Sequence, residues 1–480
     1  MSDGIYLGID IGTTNTKLVS LHQKGEVRQV AASATPKYEK EGVEYVDLNQ
    51  LEEFIDGAIR QNRDNLAGIS FSSIGESVVP VKNGDKVHDP IIWHDETTKS
   101  IKAEIDQEIA GHGVYEKSGF KDSYTYSLYK IIWMRRNLEL GSPDSWLPLS
   151  SYFPYRYTGN PVWEVTQACR SLLFDVKRKE WNQWVQNTYG LGDELGRLDY
   201  ISTPVGKRDD GIEVYLAGHD HITGLYAVLT YLQSDQLVYD SMGSASLLAT
   251  VFEDRNMEME EYRKSENDIL GVAFQENQYY FENSIKYYGK LFESVMDLLG
   301  LRREQLEELN RKIRRDYRDL RLINFVAGGD YYTGETKNRI NLLNLPINAT
   351  ASEVINSLYI YLSYMSSRIY EKLRCKIGTE PIYVVSGGVT DNQLFMDYKA
   401  AILGKELNRI DVEELTATGA ALAAAAGAKD VGTLEGYRDN YETETIHPGE
   451  FSDEYIESSL EKMDSFYQDW RRSGMGKALA

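Results

Sequence analysis

Near the start of this sequence, an aspartate, a glycine and several hydroxyl side chains could do chemistry together. An apolar strand pattern leads into Asp10-Ile-Gly-Thr-Thr, after which an alternating strand pattern resumes. Such a turn can offer backbone amides and hydroxyl groups to a phosphate, and a carboxylate beside them can bind Mg²⁺. The spacing therefore predicts a phosphate-binding hairpin with a carboxylate next to it.

A second stretch repeats this order of strand, turn and strand in the middle of the chain. It reads Asp240-Ser-Met-Gly243-Ser-Ala-Ser, with glycine and serine again at the bend. Two phosphate-type hairpins in one acidic chain predict a phosphotransferase that uses ATP.

The immediate neighbours of Asp10 leave two interpretations of its role. Aspartate is frequent at the ends of strands, where its side chain makes a turn. Here it lies between Leu-Gly-Ile and Ile-Gly, so it should be largely buried. Burying a carboxylate is costly unless a cation or hydrogen-bond donors compensate it. We therefore favour Mg²⁺ at Asp10, bound directly or through water.

Asp220 follows the strand pattern Leu216-Ala-Gly-His and precedes a helical pattern over residues 221–231. An aspartate at this place commonly caps the helix. A carboxylate fixed by helix amides can also receive the proton of an attacking hydroxyl. One residue can do both, so the pattern alone leaves both roles open.

The composition excludes several classes of protein. The net charge of −22 would repel nucleic-acid phosphates and anionic membranes, so neither is an expected partner. The two cysteines, Cys169 and Cys375, are too few for a disulfide framework and fit a reducing compartment. Because the sequence shows neither a leader pattern nor an apolar run of about 18 residues, we expect a cytoplasmic protein without a membrane span.

The periodicity of the apolar residues predicts alternating strands and helices. Residues 5–34 should form three strands with Gly25 at the second bend, as an antiparallel meander that feeds a mixed sheet. The other predicted strands are 67–72, 78–82, 236–241, 246–252, 269–275 and 382–386. The predicted helices are 48–62, 99–110, 126–137, 284–300, 303–316, 351–373, 392–403, a buried alanine-rich helix 416–428 and an outer tail helix within 450–472. Residues 138–215 are expected to be irregular.

Several motifs, taken together in their order and spacing, resemble the FGGY carbohydrate kinases of the actin, Hsp70 and hexokinase superfamily. The resemblance spans roughly residues 4–430. Besides the first hairpin, the motifs are Gly68-Ile-Ser-Phe-Ser-Ser, Pro90-Ile-Ile-Trp93-His-Asp95, Tyr155-Arg-Tyr-Thr-Gly159, Arg170-Ser-Leu-Leu-Phe-Asp175, Ala217-Gly-His-Asp220, Tyr332-Thr-Gly334-Glu335, Val385-Ser-Gly-Gly388 and Glu414 through Gly419-Ala-Ala.

This resemblance implies an α/β fold of two RNase H-like, actin-like ATPase domains that close over ATP and a sugar or polyol. We expect an N-terminal sugar-binding domain over 1–235, a C-terminal nucleotide-binding domain over 236–430 and a helical tail over 431–480. The implied reaction moves the γ-phosphoryl group of ATP to a substrate hydroxyl with Mg²⁺ as cofactor. Family members are often dimers, which makes a homodimer a candidate assembly.

The resemblance also implies roles for individual residues. Asp220 becomes the general base and Asp10 lies near the metal and the phosphates. The implied nucleotide-binding residues are Gly12, Thr13, Thr14, Lys17, Gly243, Ser244, Gly387, Gly388 and Asn392. The family more often has Gly-Thr-Ser at the second hairpin, whereas this chain has Gly243-Ser-Ala and so loses one hydroxyl.

The implied substrate contacts are Glu76, Trp93, Asp95 and His221. Gly75-Glu76 matches neither the Met-His pair of xylulokinase-like members nor the Arg-Glu pair of glycerol kinase-like members. An arginine that the family has after its Trp-x-Asp motif is replaced by Thr97. An anionic substrate would want that arginine, so the sequence favours a neutral ketose, such as the pentulose xylulose, or a polyol. A kinase for an aldonate such as gluconate or for another small sugar, and a non-catalytic nucleotide-binding regulator, remain the alternatives.

Overall fold

The computed structural model of this chain describes residues 4–120, 123–234, 236–243, 245–253, 268–285, 287–313, 315, 320–327, 340–412 and 414–472. Ser244 and the motif around Tyr332 and Glu335 lie outside these residues. Within them the chain forms two halves, each built around its own mixed sheet.

The first half contains fifteen strands and eight α-helices in the part of the chain described up to Leu232. The strands are β1 (Ile5–Ile11), β2 (Asn15–Leu21), β3 (Val27–Ala34), β4 (Lys37–Lys40), β5 (Val43–Val46), β6 (Leu66–Ser73), β7 (Val78–Lys82), β8 (Asp85–Lys86), β9 (Ser145–Pro148), β10 (Val162–Glu164), β11 (Phe174–Asp175), β12 (Glu180–Trp181), β13 (Arg197–Asp199), β14 (Pro204–Lys207) and β15 (Glu213–His219). The α-helices are α1 (Leu48–Gln61), α2 (Lys99–Gly111), α3 (Val114–Ser118), α4 (Ser127–Asn137), α5 (Leu149–Thr158), α6 (Val165–Cys169), α7 (Gln183–Tyr189) and α8 (Asp220–Leu232).

The central sheet of the first half has the order β14-β15-β6-β1-β2-β3. Strand β1 pairs antiparallel with β2, as expected for a meander, and parallel with β6. Strand β15 is parallel to β6. The carboxyl ends of β1, β6 and β15 therefore meet at one edge of the sheet, and they bring Asp10 and Asp220 to the same place.

The second half follows the same plan. Its strands are β16 (Leu237–Met242), β17 (Ser246–Glu253), β18 (Asp268–Val272), β19 (Gln278–Ile285), β20 (Asn324–Ala327), β21 (Ile340–Leu343), β22 (Ile382–Ser386), β23 (Leu407–Ile410) and β24 (Thr443–Ile446). Its α-helices are α9 (Tyr288–Leu298), α10 (Arg303–Asn310), α11 (Ala351–Ile377), α12 (Gln393–Leu403), α13 (Leu415–Gly427), α14 (Val431–Asn440) and α15 (Asp453–Arg472). The sheet order is β18-β19-β17-β16-β22-β23-β24.

Helix α13 connects the two halves, because it packs on β1 and α8 of the first half, while its Ala420 and Ala423 share an apolar cluster with Leu237 and Val384 of the second sheet. Its alanine-rich sequence lets the backbones approach closely. A side-chain carbon placed at Gly8 of β1 would lie 1.9 Å from the carbonyl oxygen of Ala417, so this contact requires glycine. The residues of α13 from Ala417 to Ala425 are buried, which confirms the buried helix predicted from the sequence.

Most predicted elements are confirmed to within a few residues. Helix α11 ends at Ile377, beyond the predicted residue 373, and four further predictions are wrong. Residues 138–215 are not irregular, since they contain α5 to α7 and several short strands. The prediction of one strand over 269–275 missed a hairpin, in which β18 ends at Val272 and β19 follows. As a result α9 begins at Tyr288 instead of residue 284. Helix α10 ends at Asn310, earlier than the predicted residue 316.

The tail helix α15 is held by polar contacts inside the second half. The Tyr455 hydroxyl lies 2.9 Å from Asn356 Nδ2 and 3.0 Å from the hydroxyl of Tyr398. No helix among the described residues is both long and apolar enough to cross a membrane.

Candidate active site

Asp220 is the first residue of α8, directly after the end of β15. Its Oδ1 accepts a hydrogen bond of 2.7 Å from the backbone amide of His221. One fifth of the side chain is exposed, so the carboxylate is held by the helix while it stays accessible. A negative charge is favoured at this end of a helix.

Two histidines flank this carboxylate. His219 Nε2 lies 3.3 Å from Asp220 Oδ1, and His221 Nε2 lies 4.0 Å from the same oxygen. His219 is buried, and burial, with smaller effects of Arg170 and His221, lowers its pKa well below the usual value. Its imidazole is therefore neutral near pH 7. The ligand atoms of the three residues lie within 4.8 Å of one another, and they are the group that could hold a metal ion among the described residues.

Asp10 lies near Asp220 and carries an unsatisfied oxygen. Its Oδ1 is buried and has no hydrogen-bond partner in the part of the chain that is described. Burial and the charge of Asp220 raise the pKa of Asp10 well above its usual value, with Lys17 acting in the opposite direction. A buried carboxylate oxygen without a donor, next to a second carboxylate, suits a divalent cation.

The first glycine hairpin forms the turn between β1 and β2. The Gly12 amide donates a hydrogen bond of 3.0 Å to the carbonyl oxygen of Asn15, which closes the turn. Thr13 Oγ1 accepts a hydrogen bond of 2.9 Å from the indole nitrogen of Trp93, and Thr14 is exposed at the tip.

Lys17 lies on β2, opposite Asp10 in the register. Its Nζ is 2.6 Å from Glu414 Oε2, at the start of α13. The lysine thus joins the first hairpin to the second half. In this structure its ammonium group is already paired.

The second glycine hairpin differs in its acidic residue. The Gly243 amide donates a hydrogen bond of 3.0 Å to the carbonyl oxygen of Ala245. Asp240 is fully buried, and its Oδ2 lies 2.7 Å from Lys399 Nζ. Ser246 and Tyr383 also donate hydrogen bonds to Asp240, at 2.6 and 2.8 Å. This carboxylate is satisfied inside the core.

Next to the second hairpin lies a cavity of about 810 Å³. The cavity is lined by Gly243, Gly388 and Asn392, which the sequence analysis assigned to the nucleotide. Phe292 and Leu306 also line it, and they were not assigned from the sequence. Asn392 also caps α12, because its Oδ1 accepts a hydrogen bond of 3.3 Å from the amide of Phe395.

The backbone conformation at position 387 requires glycine. Its φ of +103° is unfavourable for other residues, and an added side-chain carbon would lie 2.4 Å from the carbonyl oxygen of Met242. The adjacent Gly388 has open space instead. The two glycines thus serve different purposes: one permits a close approach to β16, and the other leaves the cavity open.

The loop after β6 places Glu76 near His219, the residue before Asp220. A side-chain carbon added to Gly75 would lie 2.8 Å from Cδ2 of His219, so this loop packs against the histidine. Glu76 has a positive φ of 61° and is 5% exposed. Its Oε1 accepts a hydrogen bond of 2.8 Å from Arg170 Nε.

The other predicted substrate residues are placed differently. Trp93 is half-buried and reaches the first hairpin through Thr13. Asp95 accepts hydrogen bonds of 2.8 Å from the backbone amides of Glu44 and Thr97, so its carboxylate holds local structure. His221 is about half exposed beside Asp220.

Three charged or acidic residues around the site were given no site role in the sequence analysis: Arg170, Lys130 and Glu164. Arg170 binds both Glu76 and Glu282, each at 2.8 Å. Lys130 is fully buried, donates a hydrogen bond of 3.1 Å to the carbonyl oxygen of Trp93, and has a pKa lowered by burial to about 8. A lysine within the apolar stretch of α4 was the available signal for it.

Glu164 is the third of these residues. Its Oε2 accepts a hydrogen bond from the amide of Thr166 at 2.8 Å, and the Thr166 hydroxyl accepts one of 2.9 Å from the amide of His219. Burial raises the pKa of Glu164 to about 8. Its Oε1 has no partner among the described residues, which fits a protonated acid.

Family models match most of the chain. The N-terminal domain of the FGGY family of carbohydrate kinases matches residues 5–206, and the C-terminal domain of that family matches residues 271–428. Among curated proteins, a glycerol kinase of Pediococcus pentosaceus is 22% identical, with 98% of this chain and 97% of the relative covered. A glycerol kinase of Thermococcus onnurineus is 23% identical over the same shares.

Solved structures share the fold at lower identity. A ligand-bound xylulose kinase and a gluconate kinase from Lactobacillus acidophilus both superpose with a TM-score of 0.84, at 16% identity and 99% coverage of each chain. A Plasmodium falciparum glycerol kinase with ADP superposes with a TM-score of 0.81, at 16% identity, with 100% of this chain and 99% of that chain covered. The two-domain actin-like ATPase fold predicted from the sequence is confirmed. The chain belongs to the FGGY family of carbohydrate kinases, ATP-dependent enzymes that phosphorylate a sugar or a polyol.

Proposed function

We propose that this protein transfers the γ-phosphoryl group of ATP to a hydroxyl of a small neutral ketose or polyol, with Asp220 as general base. The observation that carries the proposal is the position of Asp220. Its carboxylate is accessible at the start of α8, next to the unsatisfied carboxylate of Asp10. Phosphoryl transfer needs alignment, charge neutralisation and one group that receives the hydroxyl proton.

Each part of this reaction has candidate residues. The acceptor hydroxyl would donate its proton to Asp220, which α8 holds in place through the amide of His221. The neutral imidazole of His219 lies on one side of this carboxylate, with Nε2 at 3.3 Å from Oδ1. The first turn would hold phosphate oxygens through the backbone amides of Thr13 and Thr14 and the second through that of Ala245, because the amides of Gly12 and Gly243 close their own turns.

Asp10 is the residue that would hold Mg²⁺, and its buried Oδ1 without a partner among the described residues supports this role. When bound, the ion neutralises charge on the phosphates of the nucleotide. The mutual repulsion of Asp10 and Asp220 would also fall, because a cation between two carboxylates favours their ionised forms.

The cavity in the second half is the proposed site of adenosine. Its volume of about 810 Å³ lies within the usual range for small-molecule pockets. Phe292 and Leu306 supply apolar surface for a flat base, and Gly388 leaves room beside it. We propose the domain assignment expected from the sequence: residues 1–235 bind the sugar, residues 236–430 bind the nucleotide, and residues 431–480 form a tail.

Charge near Glu76 supports a neutral acceptor over an aldonate. The cations that the described residues place beside Glu76 are Arg170 and Lys130. Arg170 is already bound by two carboxylates, and Lys130 donates hydrogen bonds to backbone carbonyls of Trp93 and Thr125. Arg170 thus faces two carboxylates and the charge of Lys130 interacts with Glu76 and Asp95, so neither cation is left over for the carboxylate of a substrate. Carboxylates such as Glu76 are suitable acceptors for sugar hydroxyls.

The names of the relatives do not decide among substrates, since they include glycerol, xylulose and gluconate kinases at low identity. A non-catalytic regulator on the same fold is the second candidate from the sequence. The accessible Asp220 beside Asp10 favours catalysis over that reading.

The test is ADP release with ATP and Mg²⁺ against pentuloses, hexuloses, tetritols, glycerol and gluconate. We expect turnover of a neutral member, slow ATP hydrolysis without acceptor, and a loss of at least about 100-fold in kcat for Asp220→Asn. Asp47→Asn is the matched control, because Asp47 caps α1 through the amide of Gln50 and asparagine caps equally well.

Three results would contradict the proposal. Folded protein that binds ATP but phosphorylates no member of the panel would favour the regulator. Full activity of Asp220→Asn would remove the general base. Turnover of gluconate alone would show that the acceptor is anionic.

A further inference from the structure

Arg170 joins the two halves of the molecule at the wall of the proposed acceptor site. Its Nε donates a hydrogen bond of 2.8 Å to Glu76 Oε1, in the first half. Its Nη1 donates one of 2.8 Å to Oε1 of Glu282, on β19 of the second sheet. The exposed fraction of the side chain is 15% for Arg170, 5% for Glu76 and 1% for Glu282. We call these three residues the carboxylate–arginine triad.

The surroundings of the triad leave Glu282 dependent on the arginine. The second oxygen of Glu282, Oε2, is buried without a partner in the described part of the chain. The guanidinium lies over the ring of Phe120, 5.0 Å from the ring centre. Close by, the amide of Val272 lies 3.3 Å from Cys169 Sγ, so the edge of the second sheet contacts the end of α6 beside Arg170.

We infer that Arg170 is a positioning residue, through which Glu282 of the second half sets the place of the acceptor-binding carboxylate of Glu76. The inference rests on the proposed function, since it gives Glu76 the contact with the acceptor. It follows that the acceptor site depends on both halves, although the predicted sugar-binding residues lie in the first half alone. Arg170 and Glu282 need not touch the acceptor to determine its affinity.

The charges of the triad predict how single and combined substitutions should differ. Two carboxylates face one guanidinium, and a guanidinium stays protonated at any pH of interest. Removing it leaves two buried carboxylates close together, with only Lys130 near Glu76 and no cation bound to Glu282 among the described residues, which is strongly unfavourable. Removing Glu282 instead leaves a neutral pair of Arg170 and Glu76. Loss of Glu282 should therefore partly repair the loss of Arg170.

The experiment compares Arg170→Gln, Glu282→Gln and the double variant with the wild type. Asp268→Asn is the matched control, because Asp268 is a buried acid on the neighbouring strand β18 whose partners, Lys372 and Asn283, both lie in the same half. The KM for acceptor is measured with the panel member that the wild type turns over fastest, the KM for ATP is measured in parallel, and urea unfolding midpoints are recorded without substrate.

We expect Glu282→Gln to raise the acceptor KM about 5- to 10-fold and Arg170→Gln about 100-fold, with the KM for ATP unchanged in both. The double variant should regain at least about 3-fold in acceptor KM over Arg170→Gln, and its unfolding midpoint should lie above that of Arg170→Gln. A purely structural role would shift both KM values and would give no such repair.

The inference is overturned if Glu282→Gln matches Asp268→Asn in acceptor KM, or if the double variant is no better than Arg170→Gln. A wild type that turns over no acceptor overturns the proposed function instead. In that case the unfolding midpoints still test whether Arg170 links Glu282 to Glu76. A higher midpoint in the double variant than in Arg170→Gln supports the link, and additive losses of stability overturn it.

Discussion

The two glycine hairpins show that similar sequence patterns can place an acid in opposite environments. Asp10, at the first hairpin, has a buried oxygen without a partner among the described residues and lies near another carboxylate. Asp240, at the second, is bound by Lys399, Tyr383 and Ser246 inside the core. The carboxylate of Asp10 is available for a cation, whereas the carboxylate of Asp240 is already paired with the ammonium group of Lys399.

The difference comes from one residue of spacing. Asp10 precedes its turn glycine by two positions, and Asp240 precedes its turn glycine by three. Because side chains alternate between the two faces of a strand, the two acids point to opposite faces. The counterpart of Asp10 by spacing is Ser241, which is half-buried. For these two hairpins, the number of residues from the acid to the turn glycine predicts the role of the acid better than the similarity of the two motifs does.

The strongest test of this contrast is Lys399→Met. It should lower the free energy of unfolding by about 3–5 kcal/mol, because it leaves the carboxylate of Asp240 buried without its cation. Urea unfolding measures the effect. Lys17→Met is the control, since the Lys17–Glu414 pair is partly exposed and should contribute less than about 1 kcal/mol. Equal losses in both variants would contradict the contrast.

Asp10→Asn should separate activity from stability. We expect kcat to fall by about 10²–10³-fold, because charge neutralisation at the phosphates is weakened. The unfolding free energy measured without Mg²⁺ should rise by about 1 kcal/mol, since the substitution removes a buried charge that Asp220 repels. A destabilised but active variant would show that Asp10 serves the fold.

The two turn glycines should respond differently to alanine. A side-chain carbon at Gly12 would lie 2.8 Å from the carbonyl oxygen of Asn15, whereas at Gly243 the nearest atom is 3.5 Å away. Gly12→Ala should therefore cost about 1–3 kcal/mol, and Gly243→Ala should stay within about 0.5 kcal/mol. Thermal unfolding of the two variants side by side checks the order, and a larger loss at Gly243 would reverse it.

Glu164 is a third buried acid, and its raised pKa should make the stability of the protein depend on pH. Burial raises the pKa of Glu164 to about 8 in the folded protein, above its value in the unfolded chain. The folded state therefore holds this proton more tightly, so stability should fall as the pH rises from about 4.5 to about 8. Glu164→Gln should reduce this fall. An unchanged pH profile of the unfolding midpoint would show that Glu164 is ionised.

Local patterns in the sequence were enough to predict much of the fold. The meander of β1 to β3, helix α1 and the buried helix α13 each follow from apolar spacing and turn residues close along the chain. The region 138–215 was misjudged because its elements are short: α6 and α7 have five and seven residues, and most of its strands have two to four. Their order depends on packing against β15 and β6 and not on strong periodicity of their own.

The candidate site was partly predictable for a related reason. Asp220, Asp10 and the glycines stand next to strand ends, where a motif is visible in a single stretch. The link from Arg170 to Glu282 joins residues of different halves, so neither stretch shows it. Asp95 also has contacts that its motif does not show, because its oxygens bind the amides of Glu44 and Thr97, and its contact with substrate stays a prediction.

The contact between Gly8 and Ala417 also bears on how the chain matures during synthesis. One side of β1 and β2, including Tyr6 and Val19, is covered by alanines of α13, which leave the ribosome some four hundred residues later. Until then this apolar side lacks its native cover. A fragment truncated at residue 235 should therefore be prone to aggregate, and adding a peptide of residues 412–430 in trans should raise its solubility.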